Sequence, residues 1–132
     1  MGSLQSTNVI GDAGMSEDAG RDMKARLRAD LRTAMKHRRT IEAKVIRALV
    51  AAIDNAEAPP IQEGQTALVH HHFRSRSAEV ERLLLSRSQV RQVVLAEIDE
   101  RERAATELDR LEQTDRAEAL RAEALLAKHY RE

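Results

Sequence analysis

Cysteine and tryptophan are absent from this chain, and phenylalanine and tyrosine occur once each, as Phe73 and Tyr130. Without cysteine there is no disulfide, no thiolate-bound zinc and no thiol nucleophile. That usage suits a cytoplasmic protein, which is the expected location. With so few aromatic rings, a core must be assembled from Leu, Ile, Val, Ala and Met. Strand-rich folds draw more heavily on aromatic and β-branched residues, so an all-α fold is favoured. No apolar run approaches the roughly 18 residues of a membrane-spanning helix, and no membrane partner is expected. The N-terminal stretch MGSLQSTNVIGDAGMSEDAG has no basic segment leading into an apolar one, so it does not read as a secretory signal. Its Gly, Ser, Asn and Asp content reads as a disordered leader over residues 1–20, with Met15 or Met23 as alternative starts.

Catalytic signatures are missing as well. There is no G-x-S-x-G, no P-loop, no G-x-G-x-x-G and no H-E-x-x-H. His70, His71 and His72 are consecutive, which does not aim three imidazoles at one ion from a regular element, so no metal site and no cofactor are expected. Carboxylates are numerous between Glu97 and Asp109, but several stand four residues before an arginine. Such pairs, Glu97 with Arg101 and Asp99 with Arg103, are the habit of a solvated helix face and contribute only about 0.2–0.5 kcal/mol each. Catalysis by this chain alone is not expected.

What is present is helical patterning. The chain of 132 residues, 42% hydrophobic and 33% charged, suits one domain, assigned to residues 21–132. Met23, Leu27, Leu31 and Ala34/Met35 place a first helix from about Ser16–Gly20 to Arg38. Thr40 is the expected N-cap of a second helix. Its apolar face (Ile41, Val45, Ile46, Leu49, Val50, Ile53) is broad enough to meet more than one neighbour. Pro59–Pro60 forbids its continuation. Residues 57–77 carry no clear period and read as a long connecting loop, with a short helical turn near Thr66–Phe73 as an option. Ala78–Leu85 is apolar and reads either as one or two helical turns or as an extended piece. Ser86 and Gln89 have the spacing of a capping box and announce a third helix over Arg87–Gln113. Thr114 or Asp115 caps a fourth helix that runs to about Tyr130, and the short connection makes the third and fourth antiparallel neighbours. The architecture expected is a four-helix bundle of two antiparallel helical pairs.

Charge is distributed unevenly. Residues 21–47 hold ten Lys/Arg against three Asp/Glu, a local charge of +7, while residues 97–132 hold seven against eleven, a local charge of −4. Arg28, Arg32, Lys36 and Arg39 follow helical spacing and form a ridge, with Arg38 beside it. Such a ridge either tracks a phosphate backbone or is an ordinary solvated face. The scarcity of aromatics disfavours splayed single strands and leaves shape-based contact with folded RNA. Alternatively, the two halves attract each other, within one chain or between two copies.

One residue breaks the apolar stripe of the third helix. Val94, Ile98, Arg101, Ala105 and Leu108 share a face, with arginine where leucine belongs. A charge there is costly unless paired. Glu97 is one turn away, and Glu57 and Glu123 are cross-helix candidates, with Arg47 as a further member. The expectation is a structural polar cluster of Arg47, Glu57, Glu97, Arg101 and Glu123 that fixes helix register.

Taken in order, KARLRADLRTAMKHRR, VIRALVAAIDNAE, LLLSRSQVRQVVLAEIDERERAA and DRAEALRAEALLAKHY resemble the YqeY-like proteins. These are relatives of the C-terminal tail domain of the B subunit of the glutamine-dependent Asp/Glu-tRNA amidotransferase. The resemblance runs from about Arg21 to Tyr130, and its specificity lies in the order of the segments. Lys36, Arg47, Glu57, Glu97, Arg101 and Glu123 fall on the family's recurring polar positions. The resemblance implies a helical accessory domain that contacts tRNA or a tRNA-charging complex while other chains perform the carbon–nitrogen ligation. Family members commonly continue past this tyrosine into a second small helical domain, whereas this sequence ends at Glu132. The expectations are therefore a non-catalytic tRNA-binding accessory domain or a protein–protein interaction module, the latter as a homo-oligomer.

Overall fold

A computed structural model describes residues 18–60 and 81–132. Residues 1–17 of the expected leader, and residues 61–80 with His70–His72 and the optional turn near Phe73, lie outside the described residues, while Asp18, Ala19 and Gly20, also expected in the leader, cap and begin the first helix. The described residues form four helices: α1 (Ala19–Lys36), α2 (Thr40–Glu57), α3 (Arg87–Arg110) and α4 (Thr114–Lys128). Helices α1 and α2 pack as one antiparallel pair, and α3 and α4 as another. Helix α2 touches all three of the others, as its broad apolar face implies.

The core is aliphatic. Leu27, Val45, Ile46, Leu49, Ile53 and Val94 are its largest fully buried side chains. Between α3 and α4 small residues take over, with Ala105, Ala117, Ala124 and Ala127 all buried. Alanine lets two helix backbones approach closely and is itself the best helix former.

The start of α3 follows the capping box. Gln89 N–H donates to Ser86 Oγ at 3.1 Å, and Ser86 N–H donates to Gln89 Oε1 at 2.8 Å. The residues just before it, 81–86, are not helical. They close the end of the first hairpin instead. Leu85 C=O accepts from Ala19 N–H at 3.0 Å, and Leu83 N–H donates to Glu57 C=O at 2.7 Å. One donor left open by the first turn of α1 and one acceptor left open by the last turn of α2 are thereby satisfied.

Both hairpins use the same three-residue connection. Arg38 in the first and Glu112 in the second sit at φ 58°. Arg39 N–H reaches back to Ala34 C=O, and Gln113 N–H to Leu108 C=O, each at 2.8 Å. A left-handed residue followed by a backbone bond to the carbonyl five residues earlier is a Schellman stop. This explains four boundary corrections. Helix α3 ends at Arg110 rather than Gln113, because Glu112 leaves right-handed helical space. Helix α1 ends at Lys36 rather than Arg38 for the same reason. Thr40 and Thr114 are the first residues of α2 and α4 rather than their caps, since the returning bonds place Arg39 and Gln113 at the cap positions, without side-chain cap bonds.

Helix α3 has 24 residues against 18 in α1 and in α2, which makes it roughly 9 Å longer. Val90 and Arg87 lie beside Ala19 and Met23, so α3 starts level with α1 and its extra length lies at the turn end. Ala105 and Ala117 are buried there apart from the main core, where the α3–α4 hairpin overhangs the α1–α2 turn.

Glycine fits a left-handed position that glutamate occupies at a cost. Glu112→Gly is expected to stabilise the fold by about 0.5–1 kcal/mol, read as a higher urea midpoint with an unchanged m-value. A lowered midpoint would show that the Glu112 side chain contributes more than its backbone costs.

Candidate nucleic-acid interface and buried charge clusters

The anomalous arginine is paired. Arg101 Nη1 donates to Glu97 Oε1 at 3.1 Å and to Glu97 C=O at 3.0 Å, and its Nε donates to Glu123 Oε1 at 3.2 Å. Lys44 of α2 holds the other oxygen of Glu123 at 3.0 Å. The cluster thus ties α2, α3 and α4 at one level. Its carboxylate Glu123 is buried, and Arg101 keeps only 12% of its side-chain surface. Two of the expected members are elsewhere. Arg47 is exposed, with its Nη2 3.5 Å from Met35 Sδ. Glu57 lies in a separate network at the opposite end of the first hairpin.

That second network is the more buried of the two. Glu57 is 3% exposed, and its Oε1 accepts from Lys24 Nζ at 2.6 Å while its Oε2 accepts from Arg82 Nη1 at 2.9 Å. Lys24 also holds Asp54 at 2.7 Å, and Arg82 holds Asp18 at 2.9 Å. Asp18 in turn caps α1 by accepting from Arg21 N–H at 3.2 Å. Gly20 makes room for this network, since a Cβ there would collide with Glu57 Oε2. Sequence reasoning placed Glu57 among the charged candidates but missed Lys24, Asp54 and Arg82. A signal existed. Asp54 and Glu57 put two carboxylates in the last turn of an apolar helix, where the dipole already disfavours negative charge, and this calls for cations.

The chain end is anchored as well. Tyr130 OH donates to Asp30 Oδ2 at 2.6 Å, Arg26 lies 4.9 Å from the centre of the tyrosine ring, and Arg91 Nε donates to Arg131 C=O at 2.9 Å.

The ridge residues differ from all of these. Arg28, Arg32, Lys36, Arg38 and Arg39 are exposed. Arg39 has a loose contact with Glu42 at 3.9 Å. The other four have no carboxylate within ion-pair distance among the described residues. On the α3–α4 hairpin, by contrast, Arg101, Arg103, Arg110, Arg121 and Lys128 each hold one. No group of three or more metal-ligating side chains occurs among the described residues, and no described helix is long and apolar enough to cross a membrane. No family model, curated protein or solved structure matches the chain.

Lys24, Asp18 and Tyr130 are shifted from their ordinary values. Burial pulls Lys24 down, but hydrogen bonds to Asp54 and Glu57 outweigh it and hold the ammonium above its ordinary 10.5. The hydrogen bond from Arg82 holds Asp18 below its ordinary 3.8. Burial, followed by the bond to Asp30, raises the Tyr130 phenol above its ordinary 10.0. Lys24 therefore contributes stability that is complete below 10.5 and is lost as pH rises through its raised folded value. Tyr130 acts in the same direction, because the unfolded phenol ionises first. Asp18 contributes stability above 3.8 that is lost as pH falls through its lowered value.

Two outcomes are expected. Stability should be flat from about pH 5 to pH 9 and fall above about pH 10, with Tyr130→Phe making the alkaline fall shallower in urea titrations. An equally steep fall in that variant would place the alkaline linkage elsewhere. Lys24→Met should lower stability by about 3 kcal/mol, because it leaves Glu57 buried with one cation instead of two. A loss under about 1 kcal/mol would mean that Arg82 alone satisfies the carboxylate.

Proposed function

We propose that this chain is a non-catalytic accessory domain that docks on folded RNA, with tRNA as the ligand class. The observation that carries the reading is the contrast in pairing. Five of the eight cations on α3 and α4 hold a carboxylate, while Arg28, Arg32, Lys36 and Arg38 stand exposed and unanswered among the described residues. Successive residues at four-residue spacing along α1 stand about 6 Å apart along the helix axis, so one ridge meets several phosphates at once. The resemblance to YqeY-like proteins points to the same ligand class and to a role beside a tRNA-charging complex in the cytoplasm. Base readout is not part of the proposal, since the ridge offers charge without stacking surfaces.

The test is binding to total tRNA by fluorescence anisotropy across a salt series. Four or five engaged phosphates should give a log–log slope of about −3 or steeper, with micromolar or tighter affinity at physiological salt. The double variant Arg32→Glu, Lys36→Glu should weaken binding at least about tenfold and flatten the slope while leaving the melting temperature unchanged. If the parent protein does not bind even at low salt, the reading fails. A change of oligomeric state in the double variant would then assign the ridge to protein–protein assembly.

A further inference from the structure

We propose that Arg47 belongs to the RNA-contacting surface, and that this surface is a two-helix face fitted to the phosphates of a double-stranded stem. The inference rests on the RNA reading above and specifies its ligand and its extent.

Arg47 lies outside the Arg101 cluster. Its guanidinium reaches Met35 of α1. The Lys24–Asp54 pair bridges the same two helices nearer the other end of the hairpin. Lys24 and Met35 are eleven residues apart, and Arg47 and Asp54 are seven apart. These separations are close to three turns and two turns, so each pair returns to one face of its helix. Both bridges therefore run along a single flank where α1 meets α2. Arg28 follows Lys24 by four residues and Arg32 precedes Met35 by three, so they line the α1 side of that flank.

The charge along this flank changes from one end to the other. At the Lys24 end, Asp54 and Glu57 neutralise the cation. Toward the turn, Arg28, Arg32 and Arg47 meet no carboxylate within ion-pair distance among the described residues, and Met35 between them is 54% exposed. A thioether beneath a guanidinium is a soft support that leaves the outer donors free. The result is cations on two adjacent helices, whose axes in a packed pair lie about 8–10 Å apart. A line of cations on α1 with one further cation, Arg47, on α2 matches a ligand whose phosphates lie in two rows, which is a duplex recognised by shape. A single strand needs stacking partners, and the only Phe, Tyr or Trp side chain among the described residues, Tyr130, is buried against α1.

The experiment compares a labelled mixed-sequence RNA duplex of about 20 base pairs with oligo(U) of the same length, using the full chain. The duplex should bind at least about tenfold more tightly than oligo(U) at low salt. Arg47→Glu should weaken duplex binding about tenfold and reduce the salt slope by about one or more. Arg103→Glu, on the exposed face of α3, should change affinity less than about twofold. Circular dichroism melts serve as the folding control, since Arg47 is exposed and its replacement is expected to leave the melt unchanged. Full duplex binding by Arg47→Glu, with binding lost in the Arg32→Glu, Lys36→Glu variant, would overturn this inference and leave the RNA reading standing. Equal binding of oligo(U) would overturn the assignment to a stem. If the parent binds no RNA but self-associates, and Arg47→Glu abolishes that association in sedimentation, both readings fall and the face is a protein interface.

Discussion

A carboxylate at 3% exposure, Glu57, is held between Lys24 and Arg82, and the ends of the fold meet at this contact. Three separate stretches supply the charges: the first turns of α1, the last turn of α2 and the lead-in to α3. Backbone bonds from Ala19 to Leu85 and from Leu83 to Glu57 run beside the ion pairs. Neither set fixes the chain alone. Together they set where α3 begins relative to the first hairpin, and every later contact between the hairpins inherits that register. The Arg101–Glu123–Lys44 cluster repeats the arrangement farther along the bundle, again with a buried carboxylate between two cations. Such networks add little net stability over well-packed apolar residues, but they penalise wrong registers heavily, because a slipped helix leaves a buried charge unpaired.

Charge in this protein is sorted by depth. The buried carboxylates Glu57 and Glu123 each sit between two cations. Toward the α1–α2 turn, Arg28, Arg32, Lys36, Arg38 and Arg47 are exposed and hold no carboxylate among the described residues. The formal charge of zero for the whole chain therefore conceals a local +7 over residues 21–47 and a local −4 over residues 97–132. Opposite local charges of this kind give a surface a field that the net charge does not show.

The elements that could be read from the sequence are those fixed by neighbours along the chain. Ser86 and Gln89 close their box within one turn, and the Glu97–Arg101 pair is a single helical step. The apolar periods of α1 and α2 and the alanines of α4 likewise carry their own geometry. What depended on rotation about a helix axis was harder to read. Glu123 and Glu57 were equal candidates for Arg101, and only the relative level of α2 and α4 separates them. Lys24 carries no mark in the sequence that separates it from the exposed cations around it, yet its ammonium reaches Asp54 at 2.7 Å. Arg47 was assigned inward and lies outward. The helix stops were misplaced by two or three residues because arginine and glutamate occupy left-handed positions that glycine usually marks.

The overhang of the α3–α4 hairpin gives the molecule a part with its own stability. Past Arg101, the two helices are joined by the Arg121–Asp109 pair, and Ala105 and Ala117 are buried there outside the main core. Amides in this outer segment depend on far less buried surface than those around Val94. Sub-global opening should therefore begin at the overhang and stop at the Arg101 cluster, the first point where three helices share one set of charges. Hydrogen exchange along α3 would then fall into two blocks, a fast outer one and a slow inner one, with the boundary near Arg101.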